Sequence, residues 1–195
     1  MTHPLTLAID AGSLPRRWIT FKDVAYYHAK ELIEWSMGEN EYEIKGGRQA
    51  DTGLRSIITI PSIVKVTGLM EGKIDGKKYN RTPHITSIGV IRRDHSFCAY
   101  CGNKFYEKYM TVDHILPKSR GGENTWTNCI ASCYKCNLRK DNKTPEEANM
   151  ELLFIPYAPD KAEHLILMNK RIYSDQMDFL KGHIKNEESR ILQLE

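Results

Sequence analysis

Four of the five cysteines in this 195-residue chain fall into two CxxC pairs, Cys98 with Cys101 and Cys133 with Cys136, 31 residues apart. Zinc takes four thiolate or imidazole ligands in a tetrahedron, and a CxxC turn supplies two of them from one tight loop. Gly102-Asn103 after the first pair tolerate the left-handed backbone that such a turn often needs. An odd cysteine count argues against a simple disulfide framework. The N-terminus lacks a basic stretch followed by an apolar one, so a reducing compartment, the cytoplasm, and a structural zinc ion are expected. Cys129 reads as a small buried apolar residue. Beside the pairs lie Asp113-His114, Asn128 and Asn137. Asp113 and Asn137 offer oxygen ligands to a hard divalent cation such as magnesium. The imidazole of His114 can take a proton from an attacking water. By spacing alone, Asp113 and His114 could equally be ordinary polar residues at a strand end.

Charge gathers around the same residues. Residues 92–143 hold ten Lys/Arg against five Asp/Glu (+5), residues 1–91 twelve against ten (+2), and residues 144–195 six against ten (−4). A basic surface there suits a polyanion, although charge alone does not separate that from a solvated face. Hydrophobic residues make up 41% and charged residues 27%, enough apolar material for a core and against wholesale disorder. No apolar run approaches eighteen residues, so no membrane helix is expected.

The elements that must position these groups follow from periodicity and punctuation. Phe21, Val24, His28, Leu32 and Trp35 recur at helical spacing, which predicts a helix over 20–37 with Thr20 as N-cap and Gly38 as stop. His28 on that face reads as a packed side chain. Residues 39–53 read as a loop. Residues 56–66 are β-branched and strand-like, with Pro61 implying an edge or a break. Residues 68–84 read as a loop and 85–91 as a short extended segment. Residues 105–112 predict a strand, 117–127 a loop and 134–140 a short helix. Thr144-Pro145 opens a helix to about residue 153, and a last helix covers 160–193. Its stripe of Leu165, Ile172, Phe179 and Ile184 is read as a face docking on the protein's own core, with a homodimer or an accessory partner as the other use.

Cys98-Ala-Tyr-Cys-Gly, Thr-Val-Asp113-His114-Ile-Leu-Pro-Lys-Ser-Arg-Gly-Gly, Thr-Trp-Thr-Asn128 and Ser-Cys133-Tyr-Lys-Cys136-Asn137-Leu-Arg-Lys together resemble the HNH endonuclease family. The likeness is to its stand-alone bacterial and phage members braced by a four-cysteine zinc site. It is dense over residues 92–156 and looser over 18–66. It implies a ββα-metal nuclease domain (92–156) in an α+β chain, flanked by an N-terminal α/β extension (1–91) and a C-terminal helical extension (157–195) whose helix carries no family signature. It further implies DNA as substrate and structural Zn²⁺ on Cys98, Cys101, Cys133 and Cys136. Asp113 and Asn137 would hold a catalytic Mg²⁺ or Mn²⁺. His114 would be the general base, with Asn128 orienting it or fixing the loop. The products would be 5′-phosphate and 3′-hydroxyl ends. The third signature position is often histidine in the family and is Asn137 here. Arg92, Arg93, Lys118, Arg120, Arg139 and Lys140 flank this site and are candidate phosphate contacts. Trp126 reads as core beneath the loop, and Tyr100 and Tyr134 as shields of the zinc.

Overall fold

The computed structural model describes residues 3–48, 50–68 and 82–192. In chain order its elements are β1 (Thr6–Ile9), β2 (Pro15–Ile19), α1 (Phe21–Ala29), β3 (Ile33–Arg48), β4 (Arg55–Val66), α2 (Ser87–Arg93), β5 (Met110–His114), β6 (Cys129–Cys133), α3 (Tyr134–Lys140), α4 (Lys161–Met168) and α5 (Ser174–Lys181). The backbone gathers into two units, Met1–Arg81 with Lys161–Ile184, and Thr82–Asp160 with Lys185–Glu195. This division differs from the expected cuts at 91/92 and 156/157. Residues 82–91 join the cysteine-bearing unit because Ile85, Val90 and Ile91 pack beneath it. The C-terminal segment is shared between the units. Among the described residues no helix is long and apolar enough to cross a membrane.

The first unit is a four-stranded sheet in the order β2-β1-β4-β3, with β1 and β4 parallel and the other pairs antiparallel. Its core gathers Ala8, Ile19, Val24, Ile60, Val64 and Val66. The helix expected over 20–37 ends at Ala29. Thr20 and Asp23 form the capping box, but Glu31 takes φ 54° and the chain turns into β3. The loop expected over 39–53 is strand through Arg48, paired with β4. Gly38 is therefore a kink within a strand, at φ 109°, where a Cβ would overlap Ser62 and Asp175. Pro61 lies opposite Glu41 beside the register shift that follows Met37. It marks where β4 changes from pairing with β3 alone to pairing with β1 as well, from Ile63 onward. A proline that cannot donate to the ladder fits such a junction.

In place of one helix over 160–193 there are two, α4 and α5. Of the expected apolar stripe only Leu165 is buried, while Ile172, Phe179 and Ile184 are half-buried; Leu180, outside that stripe, is buried, and buried Gln176 donates to the carbonyls of Leu5 and Ser62.

The second unit is built on the antiparallel hairpin β5–β6, registered from Met110↔Cys133 to His114↔Cys129, with α3 following directly. Helix α2 over Ser87–Arg93 takes up most of the 85–91 segment that was expected to be extended. Thr86 caps it by accepting from Gly89 N at 3.1 Å, and a Cβ on Gly89 would come within 2.9 Å of the Trp126 ring. The 105–112 strand is shorter than expected: a 3₁₀ turn occupies Glu107–Tyr109 and β5 starts at Met110. The helix expected after Thr144 is one turn, closed where Asn149 takes φ 50°. Of the segment 68–84, residues 69–81 lie outside the described residues.

Candidate active site

The four sulfurs of Cys98, Cys101, Cys133 and Cys136 lie within 4.8 Å of one another. Tetrahedral zinc with Zn–S bonds of about 2.3 Å needs sulfurs roughly 3.8 Å apart, so this donor set fits that ion. The turn is set by Gly102 N donating to Cys98 O at 2.9 Å, with Gly102 at φ 71°. Burial opposes ionisation of Cys98, but backbone N–H groups of Cys133, Cys101 and Tyr100 overcome it and bring the thiol down to about 7. Burial pushes Cys101 and Cys136 upward. Zinc would therefore displace protons when it binds. Cys129 is buried away from this cluster, as expected for a packed residue, and burial raises its thiol.

Adjacent residues of a strand face opposite sides. Asp113 turns toward α3, and His114 toward the loop that follows. Asp113 is 6% exposed, and both its oxygens are held: Tyr100 donates to Oδ2 at 2.5 Å and Lys140 Nζ to Oδ1 at 3.0 Å. Lys140 Nζ also donates to the His114 carbonyl at 2.9 Å. Burial and the Asp113 carboxylate push the Tyr100 phenol far above its ordinary range, so it stays a donor. One turn earlier in α3, Asn137 Nδ2 donates to Thr111 Oγ1 at 3.0 Å. Its amide oxygen is the atom that could serve as a ligand. Asn137 lines an open groove of about 330 Å³ with Thr111, Tyr134, Leu138 and Asp141. A carboxylate has about four lone-pair directions, so Asp113 with two donors retains room for a cation. One carboxylate and one amide oxygen, both hard donors, suit Mg²⁺ or Mn²⁺.

His114 Nε2 lies 3.3 Å from Asn124 Oδ1. An amide oxygen only accepts, so this contact calls for the Nε2–H tautomer and leaves Nδ1 as the proton acceptor. Asn128 hydrogen-bonds the backbone of the loop after β5. Its Oδ1 accepts from Leu116 N at 2.8 Å, and its Nδ2 donates to the carbonyls of Leu116 and Glu123. Asn124, Thr111 and the hydroxyl of Tyr100 are the participants that spacing did not reveal. Only Thr111 had a signal, since it lies two residues from Asp113 on the same strand face.

Two of the six expected phosphate contacts are corrected. Arg93 is fully buried, donating to Asp94 and to the carbonyls of Trp126, Tyr157 and Cys129. Lys140 is fully buried against Asp113. Neither reaches a ligand at the surface. A buried cation persists only when paired, and both are. Arg92 pairs with Glu107 at 3.0 Å, and Arg120 makes a two-point pair with Glu147. Lys118 and Arg139 are exposed. Trp126 is core, as expected, with its indole N–H donating to Pro83 O. Tyr134 is 66% exposed at the groove and shields nothing, because the start of α3 turns it outward.

Comparison with known proteins bears on the same stretch. The model of the HNH endonuclease family matches residues 98–153. The CRISPR-associated endonuclease Cas9 of Corynebacterium diphtheriae is 28% identical over 101 residues, 49% of this chain and 9% of that protein. Cas9 of Campylobacter jejuni is 34% identical over 79 residues, 37% of this chain and 8% of that protein. The type IV methyl-directed restriction enzyme EcoKMcrA of Escherichia coli is 28% identical over 85 residues, 40% of this chain and 30% of that enzyme. The chain thus spans less than a third of the length of each of these relatives. A solved structure of the type II-C Cas9 from Actinomyces naeslundii aligns with 50% of the chain and 11% of its own, at 22% identity and a TM-score of 0.30. The stretch that matches the HNH endonuclease model, residues 98–153, holds the hairpin, its following helix and the two cysteine pairs, and it is to that family that this part of the chain is similar.

Proposed function

We propose that this chain is a metal-dependent DNA endonuclease that hydrolyses phosphodiester bonds with His114 as general base. One arrangement carries the reading. Within a match to the HNH family, one hairpin and its following helix carry Asp113, His114 and Asn137, with each side chain held by a neighbour. His114 takes a proton from the attacking water at Nδ1, while Asn124 fixes the ring through Nε2. Asp113 and Asn137 supply the oxygen ligands of the divalent ion. Bound Mg²⁺ or Mn²⁺ supplies charge stabilisation at the phosphate oxygen and the departing 3′ oxygen. Lys118, Arg139, Arg92 and Arg120 are the cations that would meet phosphates, the last two in exchange with Glu107 and Glu147. Zinc on the four cysteines holds the two ends of the unit together, a role suited to the reducing cytoplasm of a bacterial or phage-infected cell.

The test is a supercoiled-plasmid assay with the zinc-loaded chain and added magnesium or manganese. Conversion to open-circular or linear DNA that stops when a weak chelator removes the added metal but leaves zinc in place supports the proposal. Intact plasmid under every metal condition, with DNA bound, would reduce the chain to a zinc-braced binding module.

A further inference from the structure

Tyr100 stands between two zinc-site cysteines, yet its hydroxyl is aimed at the Asp113 carboxylate, at 2.5 Å from Oδ2. Shielding a zinc ion needs the ring and makes no use of that hydroxyl. The backbone that carries Tyr100 is pinned on both sides. Cys98 N donates to Asn103 O, Gly102 N to Cys98 O, Ala99 N to Ala131 O, and Leu153 N to Ala99 O. Ala131 is the partner of Val112, the residue before Asp113, so the turn and the carboxylate share one hairpin register. A tyrosine has two side-chain torsions, so on a fixed turn its hydroxyl has little freedom to follow a moving carboxylate. The carboxylate plane is thereby set from the cysteine side.

We propose that Tyr100 is a positioning residue for the catalytic metal: its hydroxyl fixes the Asp113 carboxylate, so that the first CxxC turn orients a ligand of the second metal site as well as binding zinc. This rests on the reading of Asp113 as a metal ligand. Groups that hydrogen-bond to a metal-ligating carboxylate set its orientation, and their loss typically costs about 10–100-fold in metal affinity or activity.

The experiment compares the full-length, zinc-loaded parent with Tyr100→Phe, which removes only the hydroxyl. Manganese binding is followed by calorimetry, without DNA, and the manganese dependence of plasmid nicking is followed separately. The expected result is a dissociation constant for manganese and a half-saturating manganese concentration that both rise about 10–100-fold. One zinc per chain and a cooperative melt are retained, and the rate at saturating manganese stays within a few-fold of the parent. An unchanged manganese affinity in Tyr100→Phe overturns the proposal. So does loss of zinc or of the cooperative melt, which would make the hydroxyl a part of the cysteine turn's own folding, and so does a parent that binds no manganese. A parent that binds manganese but does not nick DNA would defeat the nuclease reading alone, since the calorimetric shift in Tyr100→Phe would still support the positioning role.

Discussion

Asp113 and Lys140 form a buried ion pair, with side chains 6% and 0% exposed, at 3.0 Å. Removing one partner of such a pair leaves a charge without compensation in a low-dielectric interior, at a cost of about 3–5 kcal/mol. We therefore expect Asp113→Ala to lower the unfolding free energy of the zinc-loaded protein, measured by urea titration, by that order, and Asp113→Ala with Lys140→Met to recover most of the loss. A full-sized loss in the double variant would show that the carboxylate is needed for reasons other than Lys140. For the same reason inactivity of Asp113→Ala reports both a lost ligand and a weakened fold. Asn137 gives up only one hydrogen bond, to Thr111, and separates the two. At this scale the sequence was most legible for residue types with chemistry of their own: the four cysteines, Asp113, His114 and Asn137. It was least legible for cations. Arg93 and Lys140 look like surface charges in a basic stretch, and only tertiary packing shows that Asp94, Asp113 and several carbonyls neutralise them inside.

Cys133 is both the last residue of β6 and the cap of α3, so the second cysteine pair and the helix that carries Asn137 begin at one point. Cys133→Ser, or prolonged zinc chelation, is expected to abolish the cooperative melt of the cysteine-bearing unit, because metal binding supplies its folding energy. A zinc-free protein with the parent's melting curve would contradict this. Glu147, at the one-turn segment after Thr144, is held down to about 2 by the Arg120 guanidinium and the Thr144 N–H. A carboxylate lowered in the folded state stabilises above its unfolded pKa and loses that contribution as pH falls toward its folded value. Both side chains are over 40% exposed, so the effect on stability is small. Its effect on binding is not: Glu147→Gln frees Arg120 and should strengthen DNA binding, with a salt slope steeper by about one phosphate contact. Equal slopes for parent and variant would remove Arg120 from the interface. Helix α3 was legible to the residue because its pattern starts at a cysteine and ends at Lys140. The helix expected over 20–37 was not. Phe21 to Trp35 keeps helical spacing through a turn at Glu31, and the alternation of β3 begins only after it.

The C-terminal segment passes from one unit to the other, and its last described part belongs to the cysteine-bearing unit. There Arg190 donates to buried Asp94 and to the Ile155 carbonyl, and lies 4.3 Å over the Phe154 ring. A chain ending at Ile184 would lose all three contacts. We expect it to unfold its cysteine-bearing unit at lower urea than the parent while retaining zinc, and an unchanged midpoint would show the segment to be dispensable. None of this could be read from a stripe of apolar residues, which does not say where a chain breaks its helix or which unit it rejoins. The central claim concerns the site itself, that His114 is the base and Asn137 a metal ligand. It is tested most directly by nicking rates of parent, His114→Ala and Asn137→Ala across a manganese titration, with zinc content checked in each. Loss of a general base typically costs about 10²–10⁴-fold. The account predicts a loss of that order in His114→Ala that no manganese concentration restores, with DNA affinity and zinc retained, and a loss in Asn137→Ala that rising manganese partly reverses. Parental rates in His114→Ala, or rescue of His114→Ala by manganese without rescue of Asn137→Ala, would contradict it.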